Sequence, residues 1–224
     1  MKEMTKMTFK VDTRRWKSFD ERVNSLPIKR DPFLNNIIKR EAPRLAKAME
    51  GKKLSGTANR WISGQLARLR TTTVNIGIEK SVAEDLKLVV AESHMVRDAF
   101  FNRLIAFLMP SDKLLDYFDL PHSEDGSVGR AYVNIQKPVS PMATLVDTFD
   151  DPLWYLHMAV EEVHETNLYL LDFPSPKMDG YACWLDDARV PKTKANKQAQ
   201  REMEEFSRAL GVFELDAFPS KKVG

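Results

Sequence analysis

RDPFLNNIIKR, from Arg30 to Arg40, and RDAFFNRLIAF, from Arg97 to Phe107, are nearly the same eleven letters written twice. The arginine, aspartate, phenylalanine, asparagine and aliphatic positions coincide at an offset of 67 residues. At the same offset the apolar pattern extends upstream without a gap. Met7, Phe9 and Val11 fall on Val74, Ile76 and Ile78, Phe19 on Leu86, Val23 on Val90, and Ile28 on Met95. Agreement of apolar positions through several periodicities is the mark of an internal repeat.

Each copy opens on alternation. In MTFKVD, Met7, Phe9 and Val11 oppose Lys6, Thr8 and Lys10; in TVNIGI, Val74, Ile76 and Ile78 oppose Thr73, Asn75 and Gly77. Period two over so short a run predicts a half-buried strand. Helical spacing follows. Ser81 and Glu84 have the S-x-x-E spacing of a capping box, and Asp12 or Thr13 is the corresponding cap in the first copy. A second helix is expected from Asp31-Pro32, an N-cap followed by proline, with Asp98 as the matching cap. Phe33, Ile37 and Ile38, and Phe100, Leu104 and Ile105, form its core stripe.

A strand and two helices in roughly 40 residues cannot bury the strand's apolar face alone. Two such units can pair their strands antiparallel and interlock their helices. The expected fold is mainly α with a small two-stranded antiparallel β-ribbon, an intramolecular pseudo-dimer followed by an α-rich module. The expected divisions are 1–46, a basic linker 47–70 with a short helix near Asn59–Leu69, a second unit 71–110, and an acidic module 111–224.

The alternating strands and the RDxFxN helix starts resemble the ribbon-helix-helix family of MetJ and Arc, which read DNA with a β-ribbon. The resemblance covers about 6–46 and 73–109 and looks like a tandem, single-chain version. It implies a ribbon in the major groove, with Lys6, Thr8, Lys10, Thr73, Asn75 and Gly77 on the base-facing side. Lysine suits guanine O6 and N7, and asparagine suits adenine. Phosphates would be held at the second helices by Lys29, Arg30 and Arg97, where backbone N–H groups favour anions. Asp31 and Asp98 stand at the same helix starts and offer those arginines a local partner. Gly77 marks a lopsided reading face, a bulge or a close backbone approach.

Charge is divided unevenly. Residues 1–110 carry 22 Lys+Arg and 12 Asp+Glu, whereas residues 111–224 carry 12 and 20. A basic part that meets a polyanion, or two halves that attract each other, would both produce this split. MKEMTKMTFK has no apolar core of a leader, no apolar run approaches the length of a membrane helix, and Cys183 is the single cysteine. A cytoplasmic protein without disulfides, cofactor or metal is expected.

In the acidic half, DPLWYLHMAVEEVHETNLYLL reads as one amphipathic helix capped by Asp151, with Trp154, Leu156, Ala159, Val160 and Val163 apolar. Lys194–Leu210 reads as another, with Met203, Phe206 and Leu210 inward. His157, Glu161 and His164 share one face at metal-ligand spacing, but one such helix is an incomplete site, and a polar surface is the simpler reading. Cys183 lacks a local histidine and reads as a buried thiol. Phosphate-loop and nucleophile motifs are absent. Double-stranded DNA is the expected partner, through a regulator or repressor. A protein-interaction role, self-association through the acidic module, and a metal enzyme at His157 are the alternatives.

Overall fold

The two alternating stretches form the strands of a single antiparallel ribbon in the computed structural model, which describes residues 2–117, 149–170 and 190–209. Strand β1 (Met4–Asp12) and strand β2 (Thr71–Glu79) pair over nine residues each. Met7, Phe9, Val11, Val74, Ile76 and Ile78 are buried on the inner face. Lys6, Thr8, Lys10, Thr73 and Asn75 are exposed on the outer face, and Gly77 is half-buried there. The middle rung joins Thr8 to Asn75, two positions separated by the 67-residue repeat. Beyond the last rungs, Thr13 N donates to Arg70 O and Lys80 N to Glu3 O, each at 2.9 Å. The second bond is the first displaced by the same offset.

Both strands run directly into helices, α1 (Thr13–Asn24) and α4 (Lys80–Ser93). Asp12, rather than Thr13, caps α1 by accepting from Arg15 N. The Ser81–Glu84 box does not form: α4 already begins at Lys80, after Glu79, with no side-chain cap. The ladder bond from Lys80 N to Glu3 O brings the helix start forward, so Ser81 is inside the first turn. Likewise α2 (Arg30–Ala48) and α5 (Arg97–Leu108) begin one residue before Asp31 and Asp98, without side-chain caps. Asp31 is drawn away by a partner on the ribbon.

The packing crosses between the copies. Helix α2 packs on β2 and α4, and α5 packs on β1 and α1. Phe9 stacks on Phe101 with ring centroids 4.1 Å apart. Leu34, Ile37, Ile38 and Leu45 line α2's inner face, while α5 is buried on all sides from Ala99 to Phe107. Its buried polar members, Asn102 and Arg103, are tolerated there because both are hydrogen-bonded. The connection contributes too: Ser55 caps α3 (Gly56–Ala67), whose Ala58 and Ile62 are buried. Helix α6 (Asp112–Tyr117) buries Leu114.

The described acidic segments differ from expectation at their edges. Helix α7 (Trp154–His164) starts after Pro152 and ends at Glu165, whose φ of 48° is left-handed. Leu156, Ala159 and Val160 are buried, but Trp154 and Val163 are exposed. Helix α8 (Lys194–Ala209) forms, yet Met203 and Phe206 point outward, 66% and 60% exposed, because no other described element covers them. Cys183 and Leu210 lie outside the described residues.

Residues 149–170 dock on α2 through charge. Glu41, 1% exposed, accepts from Arg44 at 2.7 Å and from the Tyr169 hydroxyl, and lies 2.9 Å from His157 Nε2. Arg44 also donates to Asp151 at 2.8 Å, and Arg103 to Leu168 O at 2.9 Å. Burial would raise the Glu41 pKa, but His157, Tyr169 and Arg44 together hold its carboxyl below the ordinary range. Burial, then the Glu41 charge, pushes the Tyr169 phenol well up, so it remains a donor. Glu41→Ala is expected to lower stability at pH 7 by about 3 kcal/mol, the low end for breaking a buried ionic pair. Because the folded pKa is depressed, this contribution is present above an unfolded value of about 4.3 and disappears as pH falls through the folded value. Urea melts at pH 7 and pH 3 check this; a deficit of the same size at both would contradict it.

Candidate nucleic-acid interface

A two-stranded ribbon has two edges and no third strand to cover them. Unpaired edge N–H and C=O groups are costly when buried and invite another chain when exposed. The repeated helix starts supply the cover. Along β1, Arg97 donates to Thr8 O at 2.6 Å and Asn102 Nδ2 donates to Lys10 O at 2.8 Å. Asn102 Oδ1 accepts from Asp12 N at 2.9 Å. Along β2, Asp31 Oδ2 accepts from Gly77 N at 2.9 Å and Asn35 Oδ1 from Glu79 N at 2.8 Å. The two asparagine contacts are the same contact at the 67-residue offset, and each reaches the strand of the other copy. Asn35 and Asn102 are buried, so neither amide can turn to water instead.

With these edge groups covered, the ribbon presents its outer face. The successive rungs are Met4 with Glu79, Lys6 with Gly77, Thr8 with Asn75, Lys10 with Thr73, and Asp12 with Thr71. Thr8 Oγ1 donates to Asn75 Oδ1 at 2.7 Å, which orients the amide and leaves its Nδ2 to donate outward. Lys6 and Lys10 are exposed and form no salt bridge among the described residues. All six residues expected on the base-facing side therefore lie on three adjacent rungs. The uninterrupted pairing excludes a bulge at Gly77. A Cβ there would meet Asp31 Oδ2 at 3.2 Å, so the glycine admits the carboxylate to the strand edge.

The three cations expected to hold phosphate have different situations. Lys29 is exposed at the start of α2 and forms no salt bridge among the described residues. Arg30 pairs with Asp31 at 2.9 Å and Asp20 at 3.4 Å and lies 5.5 Å over the Trp16 ring. Burial opposes its charge, but the two carboxylates overcome this and raise its pKa. Arg97, besides clasping Thr8, lies 5.2 Å over Phe9 and 3.6 Å from Asp98. Arg97 thus holds β1 to α5, whereas Arg30 ties the start of α2 to α1. Beside Arg97 a shallow cleft of about 270 Å³ is lined by Lys87, Val90, Ala91, Val96 and Asp98. Arg14, Arg68 and Arg70 are exposed at one end of the ribbon without salt bridges among the described residues; no strand or helix motif singled them out.

The histidine face of α7 is engaged otherwise. His157 Nε2 faces Glu41, and His164 Nε2 lies 3.0 Å from Tyr117 O while its ring stacks on Tyr117. Glu161 is exposed, and no group of three metal-ligating side chains occurs among the described residues. No described helix is long and apolar enough to cross a membrane.

Asn102→Leu keeps the branched shape but leaves the Asp12 N–H and the Lys10 carbonyl uncovered. It is expected to lower stability by at least about 2 kcal/mol, from two unsatisfied groups costing about 1–3 kcal/mol each. Urea denaturation measures it, and a loss under about 0.5 kcal/mol, an ordinary surface effect, would show the edge needs no cover. Comparison with protein-family models, with curated proteins and with solved structures found no match to the chain.

Proposed function

We propose that the protein binds double-stranded DNA by sequence, laying its β-ribbon in the major groove, and that it regulates transcription. On this reading residues 4–48 and 71–108 are two ribbon-helix-helix units fused into an intramolecular pseudo-dimer. Support for the pairing comes from the register: the rung at its centre joins Thr8 to Asn75, and the bonds closing each end repeat at the same offset. Support for DNA comes chiefly from one observation. Lys6, Lys10 and Asn75 project from a narrow ribbon whose edges are partly covered by its own helices. A two-stranded ribbon fits a groove roughly 12 Å wide, and these side chains match base-edge donors and acceptors there. The role in regulation rests on the family resemblance alone.

The rungs are unequal. Each of the two flanking rungs carries one lysine, and both lysines belong to β1. The proposed site is therefore an imperfect palindrome.

A protein-binding role is the second reading, and the exposed Met203 and Phe206 on α8 favour it. Competition with genomic fragments separates the two, since selective enrichment of one sequence requires base reading. Lys10→Ala and Asn75→Ala are each expected to weaken binding to an enriched duplex roughly 5- to 150-fold, from about 1–3 kcal/mol per base contact. Binding to random duplex should change far less. Fluorescence anisotropy on both duplexes measures this, and equal losses on the two would leave only charge attraction.

A further inference from the structure

The two ends of the ribbon are mirror positions by register but not by charge. At the Asp12–Thr71 end, Lys10 projects from the neighbouring rung, Arg14 lies in the first turn of α1, and Arg70 precedes β2. Arg68 stands two residues earlier, at the C-cap of α3. The bond from Thr13 N to Arg70 O fixes the arginine-bearing backbones side by side. All four cations are free of salt bridges among the described residues. At the Met4–Glu79 end, the positions matching Lys10, Arg14 and Arg70 are Gly77, Ser81 and Glu3. At that end Lys2 pairs with Glu79 at 2.8 Å and Lys80 with Glu3 at 3.1 Å, which leaves Lys6, on the neighbouring rung, without a salt bridge among the described residues. One end thus carries four cations without salt bridges, three of them arginines, where the other carries Lys6 and no arginine at the matching positions.

We infer that the Asp12–Thr71 end is a one-sided anchor for the DNA backbone, in which Arg14 and Arg70 contact the sugar-phosphate chain flanking the Lys10–Thr73 rung. The inference rests on the reading of the ribbon as a major-groove ligand. Phosphate contacts set register and orientation, whereas base contacts set sequence. A duplex held at one end is gripped in a single polarity. Contacts at the far rung then add discrimination to a complex already oriented.

The test uses the full chain on a duplex enriched from a random pool, with binding measured across a potassium chloride series. Each lost phosphate contact should flatten the plot of log affinity against log salt by about 0.9. Arg14→Ala and Arg70→Ala should each do so, on enriched and random duplex alike. Ser81→Ala, at the mirror of Arg14, and Lys80→Ala beside it should leave the slope unchanged. Ser81→Arg should steepen it by a similar amount, building on the Met4–Glu79 end the contact it lacks. Phosphate ethylation should interfere on one side of the enriched sequence, and on both sides for Ser81→Arg.

Equal flattening from Lys80→Ala and Arg14→Ala, or symmetric ethylation interference in the unaltered protein, would overturn the one-sided anchor. So would tighter binding to single-stranded RNA or to phosphatidylserine vesicles than to duplex. Failure of the base reading has a different signature: no sequence is enriched, while Arg14→Ala and Arg70→Ala still flatten the slope on random duplex. That outcome keeps the anchor and removes the readers. Thermal melting of each variant shows that the fold is retained.

Discussion

Two strands without a third leave every outward-facing backbone group on both edges to be satisfied by something else. The chain meets part of this constraint with two buried asparagines, Asn35 and Asn102, each reaching across to the end of the other copy's strand to satisfy Glu79 N, or Asp12 N and Lys10 O. Their positions explain why the repeat is strict at RDxFxN and loose elsewhere. An apolar inner-face residue can change from Phe9 to Ile76 and still fill its space. A side chain that must present a donor and an acceptor to a fixed backbone has few substitutes. Side chains seated along the edges leave the outer face as the free surface of the ribbon, and they discourage strand addition by a second molecule where they sit.

The charge division has two causes in the structure. Part of it is internal attraction: Arg40 faces Asp150 and Arg44 faces Asp151, so residues 149–151 neutralise one side of α2. Part is left over at one end of the ribbon, where Lys10, Arg14, Arg68 and Arg70 lack such partners among the described residues. The paired and the unpaired cations therefore occupy different surfaces. Charge that is paired on α2 costs the ribbon nothing, because the two groups occupy separate parts of the fold.

The strands were legible because period two is a direct image of a half-buried sheet, and all six outer-face residues stood where alternation placed them. The offset between copies made the antiparallel pairing readable as well. Helix starts were not, because Ser81 and Asp31 have the chemistry of caps but tertiary partners decided the matter. The ladder extended through Lys80, and Gly77 offered Asp31 a backbone N–H. The Glu41 cluster did leave a signal that went unread. Glu41 falls on the stripe of Ile37, Ile38, Ala42 and Leu45, and a carboxylate on an apolar stripe requires buried donors. Met203 and Phe206 failed for the opposite reason: an amphipathic helix specifies an apolar face but not that the rest of the chain will cover it.

The account depends on the outer face of the ribbon entering the major groove, which dimethyl sulfate reports directly by methylating guanine N7 there. On a duplex enriched from a random pool, bound protein should protect guanine N7 within about one helical turn and leave adenine N3 in the minor groove reactive. Full N7 reactivity under saturating protein, or protection confined to adenine N3, would contradict it.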